Sequence, residues 1–290
     1  MTSQFLEIST AWPWFFPSAA FVLGACIGSF LNVVISRLPA GTSVVFPGSR
    51  CECGAAVPWR HNLPVVSWLW LRGRARCCGR RISARHLAVE VLTAAAFLAC
   101  WLVFPPAKAA CGMVFLSALV AATFIDLEHM VIPDSLTLGL GVAGVGLSFL
   151  VPALHEQRGG SYALDSILSG GAGIVGLLIG SGLVLWIALL AEAALKKEAM
   201  GFGDIKFAGA IGAFTGWPGA VFAVFGGAVV GCVWIALALV WNRLAGRGTK
   251  SLGLGARVPF GPMLAVAAAI YFLGGETWVA AYIDRLAVMF

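Results

Sequence analysis

The chain has 290 residues, 60% of them hydrophobic and 11% charged, with a mean hydropathy of +0.93 and a formal net charge of +6. Soluble domains carry about 25% charged residues, so this composition excludes an ordinary soluble fold and indicates a polytopic membrane protein. Segments of about ten residues with alternating polarity are absent, which argues against a membrane barrel, and the 36 glycines suit helices packed closely in lipid.

In chain order, residues 1–10 contain Glu7 but no Lys or Arg, so no basic region precedes the first apolar run and no cleavable leader is expected. A bilayer core needs about 20 helical residues to cross. By that measure spans are predicted near residues 14–36, 87–104, 109–125, 131–151, 166–193, 205–217, 220–241 and 260–275. The sixth is short, as expected of a tilted or broken helix or one continuous with a cavity-lining loop. The expected architecture is an all-α polytopic membrane protein of about eight transmembrane helices with a small cytoplasmic domain between the first two. Its parts are a first helix in 1–37, a Cys-containing loop domain in 38–86 and a transmembrane domain in 87–290.

Basic residues set the orientation. Arg37, Arg50, Arg60, Arg72, Arg74, Arg76, Arg80, Arg81 and Arg85 belong to the first connection, Lys196, Lys197 and Lys206 to the fifth, and Arg243, Arg247, Lys250 and Arg257 to the seventh. Only Lys108, Arg158 and Arg285 remain for the opposite side, so the positive-inside rule makes the long first loop cytoplasmic. Topology and anionic lipid account for the arginines better than nucleic acid does, because aromatic interleaving is limited to Trp59, Trp68 and Trp70.

The loop 38–86 contains Pro39, Pro47, Pro58 and Pro64 and is too short for a substantial core, so a metal or another staple is expected. Cys51-Glu52-Cys53 and Cys77-Cys78 bracket it in a reducing compartment, where a disulfide framework is disfavoured. Four thiolates can hold a tetrahedral structural zinc, although the usual spacing within each pair is two or more residues. Four free thiols are the alternative, with His61 and His86 as substitute ligands or plain surface residues. Cys26, Cys100, Cys111 and Cys232 sit within apolar runs and read as small core residues. Glu90 reads as an interfacial acid able to meet a basic substrate segment. His129 and His155 have no partner legible in the sequence.

Two carboxylates stand out. Asp126 closes the third span in Phe124-Ile125-Asp126-Leu127-Glu128-His129, and Asp204 opens the sixth in Gly201-Phe202-Gly203-Asp204-Ile205-Lys206. With eight spans, both ends fall on the cytoplasmic side. Asp126 alone reads equally well as a solvated acid beside Glu128 and His129, and Asp204 as a helix cap or partner of Lys206. Their coincidence on one face favours function, since acids at membrane depth persist mainly where they line a site or an ion path. A facing pair can share a proton and activate water, one as general base and the other as general acid. Gly201 and Gly203 would leave room for an extended substrate or let two backbones approach. Asp134, after Ile132-Pro133, suits a helix start or a substrate-orienting role. A proton or cation transporter and a membrane-anchored zinc scaffold are the rival readings.

These residues closely resemble the type IV prepilin peptidase family. The likeness runs through Gly28-Ser29-Phe30-Leu31-Asn32-Val33-Val34-Ile35-Ser36-Arg37-Leu38-Pro39, Asn62-Leu63-Pro64-Val65-Val66-Ser67-Trp68, Ile125-Asp126 with Ile132-Pro133-Asp134, Met200-Gly201-Phe202-Gly203-Asp204-Ile205-Lys206 and Pro259-Phe260-Gly261-Pro262. The resemblance implies a bacterial inner-membrane aspartyl endopeptidase that removes the basic leader of prepilins and pseudopilins after a glycine, with Asp126 and Asp204 as its catalytic pair and no cofactor needed for proteolysis. It makes 87–290 the peptidase domain. It also implies methylation of the new N-terminus with S-adenosylmethionine, an activity linked to the cysteine loop. Glu128, Asp134, Gly201, Gly203 and Lys206 are the expected substrate-binding residues, and Cys51, Cys53, Cys77 and Cys78 the expected zinc ligands. The chain departs from the pattern in its cysteines: the first pair is a residue short, and Ala75 stands where the second pair usually begins, with Cys77 beside Cys78.

Overall fold

A computed structural model describes residues 10–51, 53–157, 159–196, 200–244 and 258–289. Residues 1–9, Glu52, Arg158, Lys197, Arg247, Lys250 and Arg257 lie outside the described residues. The chain divides into two compact units, Met1–Ala121 and Ala122–Phe290.

In the first unit, α1 (Phe15–Arg37) and α3 (Ala84–Val103) flank a loop containing a short 3-10 turn, Trp59–His61, and a brief helix, α2 (Val66–Trp70). Ser83 starts α3 by accepting the Arg85 N–H at 3.2 Å. Gly24 and Gly28, one turn apart on α1, meet α3 so closely that a Cβ at either would sit 2.8 Å from the Ala94 Cα or 2.7 Å from the Glu90 Cα. Small residues let the backbones touch, as helix pairs in lipid require. α4 (Pro106–His129) opens on a proline and carries the chain into the second unit.

The loop is built from turns rather than strands. Antiparallel bridges between Arg50 and Ala56 and between Arg74 and Arg81 close two tight loops, and each carries one cysteine pair. Gly54 (φ +87°) and Gly79 (φ +70°) follow the pairs directly and supply the left-handed backbone that turns each loop.

The second unit contains α5 (Asp134–Leu150), a 3-10 turn at Pro152–His155, α6 (Tyr162–Leu195), α7 (Phe202–Leu244) and α8 (Gly261–Ile270). A π-helical turn, Tyr271–Gly275, joins α8 to α9 (Glu276–Met289). The sixth and seventh expected spans form one helical element of 43 residues, bent at Gly216 (φ 67°, ψ −178°) ahead of Pro218. Its first half is buried almost residue for residue from Ile205 to Gly216 and packs against α5, α6 and α8. That position explains a run too short to read as an ordinary span: it is a central helix wrapped by its neighbours. Near the bend, Ser148 Oγ lies 3.2 Å from the Ala213 carbonyl and 3.0 Å from His155 Nε2, so His155 has a partner.

Among the described residues six helices are long and apolar enough to cross a membrane, and Asp134–Leu150 adds a shorter apolar one. Large side chains such as Leu178, Trp186, Leu190, Val229, Trp234 and Trp241 are exposed, as a lipid-facing surface demands. Cys26 and Cys232 also face outward, unlike the buried Cys100 and Cys111. This correction follows from which helix face is covered, something the apolar run alone does not reveal.

α6 and α7 touch at backbone level where Gly176 meets Gly212, since a Cβ on either would run into the other's carbonyl oxygen. Replacing Gly176 with alanine is therefore expected to destabilise the protein by about 1–3 kcal/mol. Gly182→Ala on the same helix, with nothing within 4 Å of the added carbon, should not lower the detergent unfolding midpoint.

Candidate functional site

In the second unit, Asp126 lies in the last turn of α4 and is only 5% exposed. The helix ends at His129, and Met130 (φ 52°) turns the chain towards Pro133 and α5. Asp204 occupies the first turn of α7, half-buried, with its own N–H bonded to the Gly201 carbonyl at 3.1 Å. Ile132 lies against both Gly261, beside Asp126, and Gly203, beside Asp204, so the two carboxylate-bearing segments meet at one residue.

Gly261 completes this arrangement. Its N–H donates to Asp126 Oδ2 at 3.0 Å from the first residue of α8, so the carboxylate meets both a hydrogen-bond donor and the positive end of a helix dipole. A Cβ at Gly261 would lie 2.7 Å from that oxygen and 2.9 Å from Ile132 Cδ1, leaving no room for any larger residue. Ile132 also packs on the other carboxylate's loop, its carbonyl 3.4 Å from where a Cβ on Gly203 would be. At Gly201 the nearest neighbour of such a carbon would be Asp204 Oδ2 at 3.8 Å, so that glycine keeps the approach to the acid open.

The sequence offered Lys206 as a partner of Asp204. In the structure Lys206 Nζ instead contacts Asp134 Oδ1 at 2.7 Å, linking the first turn of α7 to the first residue of α5. Glu128 is exposed in the last turn of α4. The sequence reading gave no role to Gly261; its signal was Gly261-Pro262, a proline ready to start a helix next to a residue without a side chain.

The first unit gathers Cys51, Cys53, Cys77 and Cys78, whose sulfurs all lie within 4.8 Å of one another. Cys51 Sγ is 3.6 Å from Cys78 Sγ, and Cys53 Sγ is 3.4 Å from Cys77 Sγ. A tetrahedral zinc with Zn–S of about 2.3 Å places its sulfurs about 3.8 Å apart, so this donor set fits the ion. The Cys53 backbone N–H, aided by the Cys77, Cys78 and Cys53 thiols, lowers the Cys51 thiol to about 7. Cys77, whose hydrogen bonds to Cys51 and Cys53 favour its protonated form, is raised to about 12. Neither His61 nor His86 joins the cluster.

Residues 22–104 match the bacterial peptidase A24 N-terminal domain, and residues 113–236 match the type IV leader peptidase family. The chain is 35% identical over 287 residues to a prepilin leader peptidase/N-methyltransferase of Pectobacterium carotovorum subsp. carotovorum, covering 91% of this chain and 94% of the relative. It is 34% identical over 308 residues to one of Aeromonas hydrophila, covering 97% and 98%. It is also 33% identical over 280 residues to a type 4 prepilin-like proteins leader peptide-processing enzyme of Escherichia coli, covering 90% and 94%. No solved structure matches the chain significantly.

The Lys206–Asp134 pair is open to water, its side chains 31% and 63% exposed, and such pairs contribute little. Asp134→Asn is expected to change unfolding free energy by no more than about 1 kcal/mol, measured by denaturation in detergent.

Proposed function

The chain belongs to the type IV leader peptidase family, and from that premise we propose that it is an intramembrane aspartyl endopeptidase acting on prepilins and pseudopilins. It cuts the basic leader after a glycine at the cytoplasmic face of the bacterial inner membrane, then methylates the new N-terminal amine. The observation that carries the peptidase reading is the buried Asp126 carboxylate, bonded to the Gly261 N–H, with Ile132 packed between Gly261 and the Gly203 that precedes Asp204.

The hydrogen bond from Gly261 suits Asp126 to be the ionised partner, which leaves Asp204 to carry the proton. Asp126 takes a proton from water as the water oxygen attacks the scissile carbonyl carbon. Asp204 protonates the carbonyl oxygen; as the tetrahedral adduct collapses and the C–N bond breaks, Asp126 gives its proton to the departing amine and Asp204 takes one back from the adduct hydroxyl. The space beside Gly201 admits an extended chain next to Asp204. Exposed carboxylates at Glu128 and Asp134 offer a basic leader a favourable field, Asp134 while also holding Lys206.

S-adenosylmethionine, when bound, supplies the methyl group for the second activity. The segment 38–86 serves as the cytoplasmic domain, with zinc held by Cys51, Cys53, Cys77 and Cys78. A filled tetrahedral sulfur site is structural rather than catalytic, because it keeps no open position for water or substrate.

Asp126→Asn and Asp204→Asn are each expected to reduce leader cleavage of a purified prepilin by about 100-fold or more, with protein level and detergent behaviour retained. Full activity in either variant would sink the dyad. Metal analysis of the purified chain should find one zinc, lost on Cys53→Ser or Cys78→Ser; retention of the ion in both variants would dismiss the four-thiolate site.

A further inference from the structure

The loop of the first unit, with α1 and α3, encloses a cavity of about 490 Å³. The outer surface of the same loop has a different character. On α2, Val66, Leu69 and Trp70 are 56%, 58% and 75% exposed, and at positions i, i+3 and i+4 they share one face. The other side of the helix holds the loop together: Ser67 is buried with its hydroxyl 3.4 Å from the Arg60 carbonyl, and the Trp68 ring lies against Gly73. Val65 enters α2 at φ +62° with its N–H on Glu90 Oε2 at 2.7 Å, so the exposed face is fixed to α3 rather than borne on a free tip.

Three arginines border that face. Arg60 is brought to α2 by the Ser67 contact, and Arg72 and Arg74 follow the end of the helix at Trp70. All three are exposed, and among the described residues none of their guanidinium groups has an acid partner. Just ahead of α2, a groove of about 290 Å³ is lined by Cys26, Phe30 and Val33 on α1 and by Asn62 and Pro64 on the loop. Phe30 is seven residues in from the end of α1 at Arg37, or about 10 Å along the axis. α1 is long and apolar enough to cross a membrane, so the segment leading into α2 runs beside helix that lies within the bilayer.

We propose that α2 is an interfacial anchor for anionic phospholipid: Val66, Leu69 and Trp70 enter the leaflet beside the loop, while Arg60, Arg72 and Arg74 meet its headgroup phosphates. The inference requires that α1 and α3 span the bilayer and is independent of the aspartate chemistry. Tryptophan with flanking arginine suits a membrane interface, since the indole takes the boundary and the guanidinium holds a phosphate by paired hydrogen bonds. Two other occupants fit the face less well. The basic leader proposed for the substrate would be repelled by the same arginines, and a second copy of the chain would set arginine against arginine. Seated on lipid, the loop is held at one face by the leaflet and at Val65 by Glu90 of α3.

The test reconstitutes the full chain, with Trp70 replaced by photoreactive benzoylphenylalanine, in vesicles of phosphatidylcholine mixed with phosphatidylglycerol, and identifies the adducts by mass spectrometry. Irradiation is expected to join this position to phospholipid, with phosphatidylglycerol in excess of its share of the mixture. Arg72→Gln together with Arg74→Gln should lower that excess by about 3-fold or more. Adducts confined to protein, whether a second copy or added prepilin, overturn the anchor, as does a phosphatidylglycerol share equal to that of the mixture. A second measurement needs no foreign residue: phospholipids brominated along the acyl chain should quench the part of the wild-type tryptophan emission that Trp70→Phe lacks, at unchanged helical content. Emission from Trp70 that these lipids leave untouched overturns the proposal.

Discussion

A buried carboxylate needs something positive to face, and Asp126 finds it in the N–H of Gly261. The rest of the second unit is arranged around that contact. α8 must begin where α4 ends, and it does so with a residue that has no side chain, because a Cβ would occupy the place of the carboxylate oxygen. Pro262 starts the helix with a backbone already fixed for it. Ile132 then fills the space between Gly261 and Gly203, tying the segment before α5 to the loop that presents Asp204. Glycine recurs here for want of space rather than for unusual dihedral angles.

Asp204 depends on a different kind of support. It opens a helix half buried on nearly every face, and such a helix can exist only if its neighbours approach without side chains between them. Gly176 and Gly180 of α6 lie directly against the Gly212 and Ala208 carbonyls, and Gly144 of α5 against Phe214. Close packing of this kind replaces the hydrophobic driving force that helices lack in lipid. The bend at Gly216 releases the second half of α7 from the core, and its outward Val229, Trp234 and Trp241 show where the protein surface resumes. The central half stays enclosed by its neighbours up to the bend.

Composition and apolar runs made the membrane class and the helix positions legible, because both depend on local hydrophobicity and length. The two aspartates drew notice for the converse reason, being acids where hydrocarbon is expected. Partnerships between distant segments were not. Lys206 is two residues from Asp204, yet it reaches Asp134, since the start of α5 lies within its span and offers a solvated carboxylate. Gly261 belonged to a quoted motif without a role, because its function is a backbone N–H that no side-chain chemistry announces. The burial of Glu90 was equally hidden: an acid near a helix start reads as interfacial until the loop carrying Val65 is seen to fold over it.

The cysteines show how counting along a chain misjudges a turn. Spacings of one and zero look unsuited to chelation if each pair is imagined on an extended backbone. Here each pair sits in a loop closed by a bridge and turned by the following glycine, so the backbone reverses within a few residues and aims the sulfurs inward. Cys51 and Cys77 also line the cavity beside Glu90 and Asn32, so whatever holds the sulfurs together holds part of that wall. The Glu90–Val65 hydrogen bond ties the loop to α3, and the Asn32–His86 bond ties α1 to α3. In a segment with so little apolar core, a sulfur cluster and two buried polar anchors are the means by which a cavity of this size keeps its shape.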